Sequence, residues 1–123
     1  MIEISIKSHF CGAHSLTGYR GPCANLHGHN WEVEVFLRGT KTGRDGMLID
    51  FKKLKKALHA VLEKIDHQNL NTIPVFRTKN PTAENIAKYI FDQLFSRFNS
   101  PACRLKKVRI SETPGTSAYY SRR

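Results

Sequence analysis

From Ile2 to Phe10 the chain alternates. Ile2, Ile4, Ile6, Ser8 and Phe10 share one parity, with Glu3, Ser5, Lys7 and His9 on the other. A period of two predicts a half-buried strand. Gly12, Gly18, Gly21 and Pro22 then mark a loop, and a second alternating run extends from about His27 to Arg38. Its inward parity is His27, His29, Trp31, Val33, Val35 and Leu37, and its outward parity is mostly polar. After a turn-rich break at 41–46 and the apolar run Met47 to Ile49, Asp50 is placed to cap a helix. Phe51, Leu54, Leu58, Val61, Leu62 and Ile65 recur there at helical spacing, with lysines on the other face. That helix is expected to end at Asp66-His67. A second helix buries Ile86, Ile90, Phe91, Leu94, Phe95 and Phe98, capped by Asn80 ahead of Pro81 or by Thr82 one turn on. Two more strands follow, one with Val108, Ile110 and Glu112 on one parity, the other over 118–120. The order ββααββ predicts an α+β domain spanning 1–123, with two helices on one face of a four-stranded antiparallel sheet.

Histidines on the inward parity change the picture. His27 and His29 point to the same face of their strand, and Gly12 and His14 continue the apolar parity of the first strand. Without a bulge, all three imidazoles meet across the sheet. One such histidine is ordinarily a core residue satisfied by its neighbours. Three unpaired imidazoles inside would be costly, and a metal ion resolves that cost. Three His ligands with no fourth protein donor describe an open, catalytic type of zinc site. An all-imidazole set also accepts iron or cobalt. His9 and His59 lack the pattern and read as ordinary surface or helix residues.

Composition adds bounds. The 123 residues are 40% hydrophobic and 24% charged, which suits one globular domain. No apolar stretch is long enough to span a bilayer and no leader pattern opens the chain. Cys11, Cys23 and Cys103 are odd in number and irregularly spaced, so a reducing cytoplasm is expected rather than a disulfide framework. The net charge of +10, from 20 Lys and Arg against 10 Asp and Glu, favours an anionic partner. Its charges are scattered and no nucleic-acid motif accompanies them, so a small phosphorylated substrate fits as well.

Cys23 lies in a Gly-Pro loop just before His27, where a nearby metal or imidazolium would favour its thiolate. Cys11 and Cys103 are expected to be small buried apolar residues. Asp66-His67 pairs a carboxylate with an imidazole, the logic of an acid–base relay, although such pairs also simply end helices. Glu112 is a carboxylate on an apolar parity. Either a cation pairs with it, or it accepts two adjacent N–H groups from a flat ligand such as a pterin or guanine. Thr82 and Ala83, at a helix start, could add a hydroxyl and backbone N–H groups.

Phe10-x-x-Ala13-His14, Cys23-x-x-x-His27-Gly28-His29, Asp50-Phe51-x-x-Leu54-Lys55, Asp66-His67-x-x-Leu70-Asn71, Pro81-Thr82-Ala83-Glu84-Asn85 and Glu112-Thr113 together resemble the 6-pyruvoyl-tetrahydropterin synthase family. The short spacing from Cys23 to His27 is most similar to its bacterial branch, the 6-carboxytetrahydropterin synthases of queuosine biosynthesis. The resemblance implies a tunnelling fold assembled as a hexamer, a dimer of trimers with active sites between subunits. It implies zinc on His14, His27 and His29, and Cys23 as general base with Asp66 and His67 as a proton relay, which Glu112 can join. Glu112, with Thr82 and Ala83, would anchor the pterin ring. The implied substrate is dihydroneopterin triphosphate, converted to 6-carboxytetrahydropterin with release of acetaldehyde and triphosphate. Arg20, Lys41 and Arg104 are all candidates for the triphosphate. Two other readings stay open: a pyruvoyl-tetrahydropterin or aldehyde-releasing enzyme of the same fold, and a zinc-bearing structural or nucleic-acid module.

Overall fold

A computed structural model describes residues 1–18, 21, 25–40 and 42–122. The elements are β1 (Ile2–His14), β2 (His27–Gly39), α1 (Phe51–Leu62), β3 (Gln68–Asn69), α2 (Ala83–Phe95), β4 (Cys103–Ser111) and β5 (Ala118–Tyr120), with 3-10 turns at Leu70–Thr72 and Pro74–Phe76. The sheet runs in the order β3-β1-β2-β4-β5.

The expected α+β architecture is present, with one addition. The sheet has five strands, because the two-residue β3 pairs parallel to β1 at Gly12 and Ala13. A strand this short has no alternation to read. It forms because the turn after α1 is tied to β1: the His67 N–H donates to the Cys11 carbonyl at 2.6 Å, and the Cys11 N–H donates to Asp66 Oδ1 at 2.9 Å.

β1 and β2 pair antiparallel from Ile2↔Gly39 to His14↔His27 without a register shift. Their inward positions build the core: Trp31, Val33, Val35 and Leu37 are fully buried, as are Ile6 and Phe10 nearly so. β2 and β4 shift register between Phe36 and Leu37. The extra residue, Lys106, lets Leu105 share the core with Val108 and Ile110 despite their different parity. Helices α1 and α2 lay Leu54, Leu58 and Val61, and Ile86, Ile90 and Phe91, against this face.

Asp50 caps α1 as expected, accepting from the Lys52 N–H at 2.9 Å. Of the two expected caps on α2, Thr82 is the one used: its Oγ1 accepts from the Asn85 N–H at 3.2 Å. Phe51 departs from the expected core. As the first residue of α1 it lies before the helix turns onto the sheet, and it is 49% exposed.

The sheet's other face is polar. Arg109 is almost buried there and donates to Glu34 at 3.0 Å, to Glu32, and to the Ser111 and Ser117 hydroxyls. Glu34 stands across from Arg109 in the ladder and Glu32 across from Ser111, so the register itself supplies the partners that burial demands.

Gly39 ends β2 in a crowded position, where an added Cβ would run into the Ala102 carbonyl and the Leu48 side chain. Gly39→Ala should therefore lower stability by about 1–3 kcal/mol, the usual cost of overpacking. Gly115→Ala, with open space around it, should be near neutral. Urea midpoints of the two variants check this; equal midpoints would show that the β2 end yields.

Candidate metal centre

Because β1 and β2 pair without a bulge, His14 lies directly opposite His27, and His29 opposite Gly12. The three rings gather with centroids 4.5 to 5.4 Å apart. Trp31, fully buried, closes the floor edge-on to His14 and His29 and donates its indole N–H to the Gly12 carbonyl at 3.1 Å. Glu112, just past β4, brings Oε1 to 2.7 Å from His29 Nε2, 3.5 Å from His14 Nε2 and 3.7 Å from His27 Nε2.

Hydrogen bonding fixes which ring nitrogens face inward. His14 Nδ1 lies 2.7 Å from the Pro81 carbonyl, and His27 Nδ1 lies 2.7 Å from the Asn25 carbonyl. A carbonyl can only accept, so each Nδ1 carries the proton and each Nε2 presents a lone pair. Yet His14 Nε2 and His27 Nε2 are 2.9 Å apart. Two lone pairs at that distance repel unless a cation sits between them or one ring is protonated. His29 Nε2 is buried without a hydrogen-bond partner among the described residues, since its close contact to Glu112 lacks hydrogen-bond geometry. Burial holds the His29 pKa below its ordinary value, opposed by Glu112 and reinforced by His27 and His14. Two inward lone pairs, a third unpartnered imidazole nitrogen and an adjoining carboxylate suit a divalent metal, and zinc fits the donor set.

The surrounding loops are pinned to this cluster. Asn71 makes a two-way clamp on Ser15, accepting its N–H at 2.8 Å and donating to its carbonyl at 3.1 Å. Asn80 clamps Thr17 in the same way. Pro81, whose carbonyl orients His14, directly precedes the α2 cap, so the helix start and the imidazoles are one mechanical unit.

A model of the 6-pyruvoyl tetrahydropterin synthase family matches residues 3–123. The chain belongs to this family. It is 43% identical over 97 residues to a putative 6-pyruvoyl tetrahydrobiopterin synthase of Caenorhabditis elegans, covering 76% of this chain and 69% of that one. It is 37% identical over 109 residues to a putative 6-carboxy-5,6,7,8-tetrahydropterin synthase of Archaeoglobus fulgidus, covering 89% and 86%. The solved C. elegans 6-pyruvoyl tetrahydropterin synthase superposes with a TM-score of 0.88 at 35% identity, over 99% of this chain and 96% of that one.

The other residues singled out in the sequence are placed differently from one another in this pterin synthase fold. Cys23, Arg20 and Lys41 lie outside the described residues. Asp66 and His67 are adjacent, with His67 Nδ1 3.0 Å from Asp66 Oδ1. The Cys11 N–H, and then His67, hold the Asp66 carboxyl below its usual range. His67 lines a cleft of about 520 Å³ with Cys11, Gly28 and Asn30, on the outer side of the strand ends, with His29 at its edge. Arg104 is exposed at the far end of β4, opposite Arg38 in the ladder. At about 3.3 Å per residue that is roughly 26 Å from Glu112, too far to serve this site within one chain. The Glu112 carboxylate, expected to pair with a cation or to accept from a flat ligand, stands among the imidazoles.

Cys11 and Cys103 are only partly buried, not enclosed as expected. Cys11 has the opposite parity from His14 and donates its thiol to Asn30 Oδ1 at 2.9 Å on the outer face. The Pro81 and Asn25 carbonyls are backbone atoms, and no side-chain pattern announces them. Asn71 and Asn80 had a sequence signal, as amides flanking the motif residues.

Replacing His14, His27 or His29 by Ala should each lower zinc affinity by at least about 100-fold while circular dichroism stays near that of the parent. Full zinc occupancy in the triple alanine variant, measured by elemental analysis, would remove the metal centre.

Proposed function

We propose that the protein is a zinc-dependent 6-carboxy-5,6,7,8-tetrahydropterin synthase of 7-deazaguanine (queuosine) biosynthesis. The observation that carries the proposal is the convergence of three imidazole Nε2 atoms beside the Glu112 carboxylate. The family supplies the reaction class, that of a lyase acting on a pterin. The carboxy product is favoured by the three-residue spacing between Cys23 and His27 and by the likeness to the A. fulgidus protein. The substrate is dihydroneopterin triphosphate, which with water gives 6-carboxytetrahydropterin, acetaldehyde and triphosphate.

His14, His27 and His29 would hold the zinc, whose Lewis acidity favours negative charge on oxygens of the substrate side chain. Cys23 takes the carbon-bound proton beside the ring. Asp66 keeps the His67 ring oriented through Nδ1, which leaves Nε2 to pass protons along the cleft. Glu112 accepts the paired N–H groups of the pterin edge, turning toward the ring and away from the imidazoles. Thr82 already accepts the Asn85 N–H, so its hydroxyl proton is the part offered to the ring, beside Ala83 at the helix start. The assembly in this reading is the family's hexamer, with sites between subunits. Its support here is that the sheet ends in β3 and β5, of two and three residues, whose outer edges are unpaired among the described residues. A reducing cytoplasmic setting completes the proposal, since Cys23 must stay a free thiol.

A second reading, formation of 6-pyruvoyl-tetrahydropterin, has the C. elegans likeness in its favour. Mass spectrometry after incubation with dihydroneopterin triphosphate separates the two. Acetaldehyde with the carboxy product is expected from the parent, and Cys23→Ala should form it about 10²–10⁴-fold more slowly at near-parental affinity. A pyruvoyl product, or a fully active Cys23→Ala variant, would refute the respective claim.

Glu112→Gln keeps the side-chain shape but loses the charge on the acceptor. It should weaken pterin binding by about 1.5–3 kcal/mol, the worth of a charged hydrogen bond, and retain zinc stoichiometry. Parental affinity by fluorescence titration would remove the anchoring role.

A further inference from the structure

A second set of metal-ligating atoms lies outside the three-imidazole centre. Cys11 Sγ, an Asp66 carboxylate oxygen and a His67 ring nitrogen all lie within 4.8 Å of one another. Their sequence origin is simple. Cys11 sits one position before Gly12, so its side chain leaves β1 on the face opposite His14. The turn carrying Asp66 and His67 is bound to that same residue, through the Cys11 N–H to Asp66 Oδ1 at 2.9 Å and the His67 N–H to the Cys11 carbonyl at 2.6 Å. His67 holds a positive φ of 57°, uncommon for a residue with a side chain, which swings its ring back over Asp66 and Cys11. The backbone thus gathers a thiol, a carboxylate and an imidazole before any ligand arrives.

Their surroundings point to a ligand as well. Cys11, His67, Gln68 and Asn69 line the cleft of about 520 Å³, and the His67 side chain is 76% exposed, so an ion can enter from solvent. Tetrahedral zinc with ordinary bond lengths sets its ligand atoms about 3.3–3.6 Å apart. Asp66 Oδ1 and His67 Nδ1, 3.0 Å apart, need to part slightly, and with all three ligand atoms within 4.8 Å of one another small side-chain rotations reach that spacing. The Cys11 thiol donates to Asn30 Oδ1. Loss of the thiol proton on metal binding would be met by turning the Asn30 amide, so that its NH₂ supports the thiolate.

We propose that Cys11, Asp66 and His67 form a second, solvent-open site for a thiophilic divalent transition metal, zinc or cobalt, with water in the fourth position. The chemistry selects the ion. A thiolate with one imidazole and one carboxylate favours zinc and cobalt and rejects magnesium, which wants an all-oxygen octahedron. Binding here would also take Asp66 and His67 away from proton transfer, so excess zinc should inhibit the parent enzyme and spare Cys11→Ser. That consequence rests on the proposed function; the metal site itself does not.

Cobalt titration of the metal-free full chain tests the site by a signal that needs no turnover. The first equivalent enters the imidazole centre and gives only weak visible bands. A second equivalent should add a near-ultraviolet thiolate-to-cobalt charge-transfer band, displaced by zinc and unaffected by magnesium. Cys11→Ser should still take the first equivalent, which shows that it is folded, and lose the band. Cys23→Ala and His14→Ala should keep it. Absence of the band in the parent, its persistence in Cys11→Ser, or its loss in Cys23→Ala would overturn the proposal.

Discussion

His14 stands opposite His27 because β1 and β2 pair in one unbroken antiparallel register from Ile2 to His14. A slip of one residue would send every side chain of one strand to the other face. The hydrophobic alternation forbids that slip, because it would expose Trp31, Val33, Val35 and Leu37, all fully buried. The apolar core at one end of the strands therefore fixes the polar cluster at the other. The same parity that hides the aliphatic side chains forces the imidazoles inward, where their cost has to be met chemically.

What meets it follows from two carbonyls. The Pro81 and Asn25 oxygens take the Nδ1 protons of His14 and His27 and leave the Nε2 lone pairs facing each other. Hydrogen bonding alone cannot satisfy that arrangement with both rings neutral. Protonating one ring would add a cation beside His29, whose own charged form desolvation already disfavours. A metal ion satisfies all three nitrogens at once. Pro81 is a suitable neighbour for this purpose: it donates no hydrogen bond of its own, and its fixed φ holds the carbonyl steady ahead of the α2 cap. The Asn71 and Asn80 clamps extend that rigidity to the chain leaving β1.

Much of this was legible in the sequence because period-two and helical patterns carry direction as well as structure. The parity of His14, His27 and His29, the core face of both helices, the Asp50 cap and the strand at 118–120 could all be read before the fold was known. The rest fails for definite reasons. β3 is two residues long and exists through its backbone bonds to Cys11, so no side-chain pattern encodes it. Phe51 has core spacing but starts the helix before its axis reaches the sheet. Cys11 was read by residue type when its parity, opposite to Phe10 and His14, already placed it outside the core. For Glu112 the sequence gives the face of the strand and not the neighbours gathered across it, so its imidazole contacts appear only in the fold.

Cys11 and His14 also show why this strand can serve two kinds of chemistry. Residues an odd number apart diverge to opposite faces, yet they stay within one rigid ladder. On the inner face the ladder presents imidazoles against Trp31, where desolvation lowers the His29 pKa. On the outer face it presents a thiol, and its backbone recruits Asp66 and His67 through two hydrogen bonds to the same residue. His67 and Cys11 line the cleft on that outer side, where Gly28 leaves open space above the strand end. On the inner side Gly12 is covered by Leu70, whose side chain an added Cβ would meet at 3.2 Å. One unbroken register thus holds two sets of donor atoms on opposite sides of the sheet, each placed by the parity of its own residues.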